Sequence, residues 1–190
     1  MFLSSPWAVF LPRFVLSVRN ECKELLFVVE READGREPLV RCINFGLDGM
    51  QSFSFTLEEE RSAVLVPAGQ VGTYLYEPNA SVLKAGAFKQ IAVRTGVKKL
   101  QVNSHLYTAD HLVSDFPGRR FRVDEVLSFT GKLCKGLSKT IPQANITVRN
   151  FPLSVEELRK RTKITDGGHV YLFATTLVDG EKVLVKCSKA

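Results

Sequence analysis

The stretch Ala144–Cys187, ANITVRNFPLSVEELRKRTKITDGGHVYLFATTLVDGEKVLVKC, decides how the chain is read. Asn145–Arg149 alternates apolar and polar residues, the pattern of a half-buried strand. Pro152 ends that ladder, because it has no N–H to donate. Ser154 and Glu157 have the S-x-x-E spacing of a capping box, in which each side chain satisfies a free backbone donor at a helix start. Val155 and Leu158 open an apolar stripe. Arg159, Lys160, Arg161 and Lys163 supply the positive charge favoured at a helix C-terminus. Gly167-Gly168 breaks the helix. Val170–Leu177 and Lys182–Cys187 read as two strands joined by Asp179-Gly180, a strong hairpin signal. The unit is strand, helix, hairpin, with its positive charge gathered on the helix.

Around this stretch the totals set bounds. A chain of 190 residues with 45% hydrophobic content can bury a core as one domain or two small ones. The net charge of +6 is unevenly spread. Residues 1–75 carry 7 Lys/Arg against 10 Asp/Glu, whereas residues 76–190 carry 19 against 10. One part is thereby suited to a polyanion and the other is not. The four cysteines lie far apart with no C-x-x-C pair, so zinc spacings are absent and isolated reduced thiols in a core are expected. The apolar start MFLSSPWAVFLPRFVLSV lacks the basic lead and cleavage site of a signal peptide, and Pro6, Pro12 and Arg13 interrupt it as a membrane span. A cytoplasmic chain is expected, and such an apolar start is expected of a truncated one.

Upstream, Phe14–Val18 is a short apolar run of the kind found in a buried strand. Asn20 can cap a helix, and Cys22, Leu25, Leu26, Val29 and Ala33 repeat at helical spacing, so a helix ending at Asp34-Gly35 is expected. Leu39–Phe45 and Gln51–Thr56 read as strands around a Gly46–Gly49 turn. Glu58–Arg61 reads as a solvated turn or short helix, and Val71–Tyr76 as a strand. Pro78 suits a helix start, and Gly86 divides the next region into two short helices that stop at Gly96. Ser104–Thr108 and Arg119–Phe129 read as strands, and Gly131–Lys139 as a short, poorly capped helix. From Arg119 the order of strand, helix, strand, helix, strand, strand is an α+β arrangement on a mixed sheet.

Several chemistries are excluded or weak. No glycine-rich dinucleotide or phosphate loop follows a strand, and there is no G-x-S-x-G elbow. His105, Asp110 and His111 match no established metal-ligand spacing, so no metal site is expected. Glu58-Glu59-Glu60 reads as a solvated face rather than an acid/base pair. Asn103–Tyr107 concentrates polar groups in one loop, which allows either recognition or ordinary turn bonding. The positive charge is focused between Arg119 and Lys163, where 11 basic residues face four acidic ones. The candidate RNA-binding residues are Arg119, Arg120, Arg122, Lys132, Lys135, Arg149, Arg159, Lys160, Arg161 and Lys163, with Lys139 in the same run. Clustered cations of this kind gain affinity for phosphate backbones through counterion release.

Five stretches together resemble one family: NECKELL at Asn20–Leu26, YEPNASVLKAGAF at Tyr76–Phe88, NSHLYTAD at Asn103–Asp110, DFPGRRF at Asp115–Phe121, and NITVRNFPLSVEELRKR with DGG and YLFATTL across Asn145–Leu177. They resemble the C-terminal region of bacterial class I S-adenosylmethionine-dependent methyltransferases that carry ferredoxin-like and THUMP-like domains. The resemblance implies an atypical start over residues 1–13. It implies the last strand, helix and β-hairpin of a methyltransferase sheet over 14–71, a ferredoxin-like domain over 72–116 and a THUMP-like domain over 117–190. The family's glycine-rich turn, acidic cofactor residue and catalytic strand-end motif are absent. No cofactor or catalytic residue is therefore carried over, and S-adenosylmethionine is expected only in a longer parent protein.

The expected function is the RNA-recognition part of such a methyltransferase, acting on tRNA or rRNA and inactive by itself. Its missing N-terminal half is the first expected partner, and a homodimer through an incomplete sheet is another. The alternative is a protein-interaction or dimerisation module that binds no nucleic acid.

Overall fold

The computed structural model describes residues 13–28, 37–47 and 49–190. In chain order the elements are β1 (Arg13–Val18), β2 (Glu21–Phe27), β3 (Leu39–Gly46), β4 (Gly49–Thr56), α1 (Leu57–Ser62), β5 (Tyr74–Pro78), α2 (Ala80–Ala85), α3 (Gln90–Thr95), β6 (Lys98–Lys99), β7 (Tyr107–Ala109), β8 (Gly118–Ser128), α4 (Gly131–Thr140), β9 (Asn145–Arg149), α5 (Val155–Thr162), β10 (Tyr171–Thr176) and β11 (Lys182–Lys189). They form two compact units. The first holds the described residues up to Val64 together with Pro78–Arg94, and the second holds Leu65–Glu77 and Thr95–Ala190.

The first unit is built on a four-stranded sheet in the order β2-β1-β3-β4. β1 pairs antiparallel with β2 and parallel with β3, and β3 pairs antiparallel with β4. Here one expectation fails. The helix expected after Asn20 is strand β2. Arg19 and Asn20 both sit at positive φ, at 50° and 63°. Two successive left-handed residues make the tight turn whose twist suits a hairpin. The backbone of Glu21–Phe27 is therefore satisfied by β1 rather than by its own preceding turn. The helical spacing of Cys22, Leu25 and Leu26 was a coincidence of an edge strand exposed almost throughout. Val29, Ala33, Asp34-Gly35 and the apolar N-terminus through Pro12 lie outside the described residues.

Asn20 does cap a helix, but a distant one. Its Oδ1 accepts from the Ala80 N–H of α2 at 2.8 Å, and its own N–H donates to Asn44 Oδ1 at 3.2 Å. Pro78 ends β5 rather than starting α2, whose N-cap is Asn79. Gly86 ends α2 in the left-handed conformation, at φ 78°, as the expected break required. Glu58–Glu60 lie on α1, where two of the carboxylates close helix ends. Glu59 completes a capping box with Thr56, and Glu60 accepts from the N–H groups of Lys89 and Gln90.

The second unit is built on a seven-stranded mixed sheet in the order β6-β7-β5-β8-β11-β10-β9. β10 is antiparallel to β11 and parallel to β9, so β9, α5 and β10 form a crossover unit. Strand alternation divides the core. Leu172, Ala174 and Leu184 face α4 and α5, packing on Leu137, Ile141, Leu158 and Ile164. Phe173, Val183, Val185 and Cys187 face the other way, packing on Phe121, Leu75, Leu100 and Leu106. A bulge between Lys186 and Cys187 lets β8 stay paired with β11 while changing its twist. The hairpin turn at Asp179-Gly180 forms as its sequence demands, with Gly180 at φ 88°.

Two caps define the helical layer. Ser154 Oγ accepts from the Glu157 N–H at 3.2 Å, and Glu157 Oε2 accepts from the Ser154 N–H at 2.8 Å. That bond from Ser154 holds the Glu157 carboxyl below its ordinary pKa. Contrary to the expectation of poor capping, α4 has an N-cap in Thr130, whose Oγ1 accepts from the Leu133 N–H at 3.1 Å. Ser154→Ala is expected to cost about 1 kcal/mol. Urea unfolding checks this, and an unchanged midpoint would mean that the box contributes nothing.

Candidate nucleic-acid interface

The ten candidate cations, all between Arg119 and Lys163 in sequence, divide between the two faces of the second unit's sheet. α4 packs beside α5 on one face. Their buried sides are Cys134 and Leu137 on α4 and Leu158 and Thr162 on α5. The opposite side of this layer presents Lys132, Lys135, Lys160, Arg161 and Lys163, all exposed, with Lys139 in the last turn of α4. Among the described residues these five form no ion pair or side-chain hydrogen bond. Arg161 is near enough to α4 to pull down the pKa of the Cys134 thiol, although burial raises that thiol overall. Long flexible cations without partners keep their charge available to a ligand.

The other five candidates are engaged within the fold. Arg159 is half-buried and ties α5 to the following turn. It donates to Ala144 O at 3.2 Å and Ile164 O at 3.3 Å, and pairs with Asp166. Arg120 donates to Ser114 O, and Arg122 pairs with Asp124 at 3.2 Å. Arg119 and Arg149 lie on the sheet face away from α4 and α5, following the alternation set by Phe121 and by Ile146 and Val148. Both reach one carboxylate, Glu77, whose side chain is 2% exposed. Arg119 Nε donates to Glu77 Oε2 at 2.8 Å, with Nη2 on the same oxygen, and Arg149 Nη2 donates to Oε1 at 2.8 Å. A buried carboxylate requires such partners.

Glu77 was missed by sequence reading. It lies 42 residues from Arg119 and 72 from Arg149, and no local pattern links them. Lys99 was missed likewise. It is buried, and its Nζ donates to Val102 O at 2.6 Å and lies 3.3 Å from His105 Nδ1. The Asn103–Tyr107 loop, with its two readings of recognition and turn bonding, wraps around this lysine. Burial, followed by the charges of Lys99 and Arg149, pushes His105 down to about 4. Its imidazole is therefore neutral at pH 7 and suited to accept from the ammonium.

The sign of the resulting pH dependence follows. An unfolded histidine titrates near 6.5, so between about 6.5 and about 4 the unfolded chain binds a proton that the folded chain does not. Stability is therefore lost as pH falls through that window. His105→Asn, which tolerates the left-handed φ of 50° at this position, is expected to flatten that part of the curve. Urea midpoints at pH 7, 6 and 5 test this. Parallel curves for the two proteins would contradict it.

All four cysteines are free thiols, and burial pushes Cys42 and Cys187 up to about 12. Among the described residues no group of three metal-ligating side chains gathers, and no helix is long and apolar enough to cross a membrane.

Two domain families match the chain. A ferredoxin-like domain matches residues 74–117, spanning β5, α2, α3, β6 and β7. A THUMP domain-like family matches residues 118–189, from β8 to β11. No curated protein matches significantly. The crystal structure of a candidate methyltransferase from Porphyromonas gingivalis W83 is similar, with a TM-score of 0.85 at 43% sequence identity, over 94% of this chain and 45% of that one. The present chain thus spans less than half the length of that relative. It is an α+β protein that contains a ferredoxin-like domain followed by a THUMP domain-like domain.

Proposed function

We propose that this chain is the RNA-recognition part of an S-adenosylmethionine-dependent RNA methyltransferase, working in the cytoplasm on tRNA or rRNA and inactive by itself. The observation that carries the reading is the solvent side of α4 and α5, where Lys132, Lys135, Lys160, Arg161 and Lys163 stand exposed and, among the described residues, in no close ion pair. Phosphate backbones are held by such cations. The THUMP domain-like match over these helices and the similarity to a candidate methyltransferase support the rest. The cofactor and the chemistry would belong to a methyltransferase half outside this chain, for which residues 14–71 would supply the end of the sheet. Anisotropy with a labelled tRNA transcript tests the reading, and saturable binding is expected. Absence of binding would contradict it. Calorimetry with S-adenosylmethionine is expected to show no heat of binding, and stoichiometric binding would overturn the division of labour.

A second reading rests on β2. This edge strand exposes Leu25 at 48%, Leu26 at 45% and Phe27 at 59%. Among the described residues no strand lies beyond β2, and such an apolar edge would offer backbone groups to further chain, whether the methyltransferase half or a second copy. The reading is then a protein-interaction or dimerisation module. Light scattering separates the two, because a monomer that binds tRNA argues against dimerisation.

A further inference from the structure

Arg119 and Arg149 are the two sequence-identified cations whose guanidinium groups converge on one point. Glu77 fixes both from below, and each side chain stays partly open to solvent, at 43% and 39%. A guanidinium carries five donors in a rigid fork. Arg119 uses Nε and Nη2 on Glu77, and its cation lies 5.5 Å from the Phe121 ring centroid. Arg149 uses Nη2 on Glu77 and a long Nη1 contact of 3.5 Å to Val148 O. Donors remain on both. Two arginines against one carboxylate leave a net positive charge, and the neighbouring His105 is neutral at pH 7. The loop that follows Arg149 is set in place. Asn150 Nδ2 donates to Gln101 Oε1 at 3.0 Å, and Thr176 Oγ1 donates to Asn150 O at 2.7 Å.

Three donors reach the buried Glu77 carboxylate, Nε and Nη2 of Arg119 and Nη2 of Arg149, so each guanidinium is held in place with other N–H groups still unused. Two partly exposed guanidiniums thus form a pre-oriented pair. Residual positive charge and unused N–H donors suit a phosphoryl oxyanion, which accepts paired donors from arginine better than from lysine. We propose that Arg119 and Arg149, braced by Glu77, bind one phosphoryl group of an RNA strand. This rests on the reading that the chain binds RNA, and it adds a contact on the sheet face opposite the α4–α5 cations.

The test uses the full chain, a labelled tRNA transcript, and sodium phosphate against sodium chloride at matched ionic strength. Arg119→Lys and Arg149→Lys keep the charge and remove the fork. Each is expected to weaken tRNA binding about tenfold, the loss of one charge-assisted hydrogen-bonded contact. Phosphate is expected to compete better than chloride with the native chain, and no better than chloride with the variants. Phenylglyoxal modification of Arg119 and Arg149 in the unaltered chain, read by mass spectrometry, needs no variant to fold. Both sites are expected to be protected by tRNA. Unchanged affinity in folded lysine variants, or modification unaffected by tRNA, would overturn the fork and leave the RNA reading standing. If the native chain binds no tRNA, that reading falls. Phosphate protection of the two arginines would then assign the fork to a free phosphate compound, and so also overturn the RNA source.

Discussion

Phe173→Ala is expected to destabilise the second unit by roughly 3–5 kcal/mol, the usual cost of removing a fully buried aromatic side chain. Phe173 is wholly buried at the centre of β10. Its ring lies 4.9 Å from that of Phe121 in an edge-to-face contact, and Phe121 in turn meets Tyr171 at 4.9 Å with the rings tilted by 50°. Leu75, Leu100 and Leu106 close the same cluster. None of these residues can follow the retreating ring without leaving strand or loop geometry, so a cavity remains. A well-packed interior loses contacts outright when such a void opens. Chemical denaturation measures the loss, and a change below about 1 kcal/mol would mean that this core is loose.

The second large effect concerns binding. Replacing Lys132, Lys135, Lys160, Arg161 and Lys163 together by glutamine is expected to weaken tRNA binding on the order of 10²–10³-fold near physiological salt. These side chains are exposed and make no ion pair among the described residues, so the fold should be affected little. Lys132, Lys135, Lys160 and Arg161 lie away from caps and pairs, where surface substitutions change stability by about 0.5 kcal/mol or less each. Lys163, the left-handed C-cap of α5 at φ 62°, is replaced by a residue that meets the same backbone strain. Arg159 is left intact because it braces the turn at Ala144 and Ile164. A variant that unfolds, or one that binds tRNA as tightly as the native chain, would count against the α4–α5 face.

The stretch from Ala144 to Cys187 was legible because each of its signals is local. A capping box and an Asp-Gly turn act within a few residues, and both form where the sequence places them, whereas the helix expected to break at Gly167-Gly168 already ends at Thr162, with Lys163 as its left-handed C-cap at φ 62°. Segment 21–27 misled because its apolar spacing fits a helix, while the deciding feature is the backbone of Arg19 and Asn20. Asparagine is common in that region but arginine is not, so the pair did not announce two left-handed positions in a row. The candidate site was legible as charge and not as arrangement. A run of cations from Arg119 to Lys163 looks continuous, but strand alternation sends Arg119 and Arg149 to one face and the helices to the other. Glu77, which gathers two of those cations, is joined to them only through the sheet.

The most direct test of the central claim is the affinity of the full chain for a tRNA transcript across a salt series. Log affinity is expected to fall linearly with log salt concentration, as counterion release requires. In the five-glutamine variant the slope should be shallower by roughly 3.5 to 4.5, if each of the five cations meets one phosphate. A flat dependence in the native chain, or the same slope in both proteins, would contradict recognition of RNA through α4 and α5.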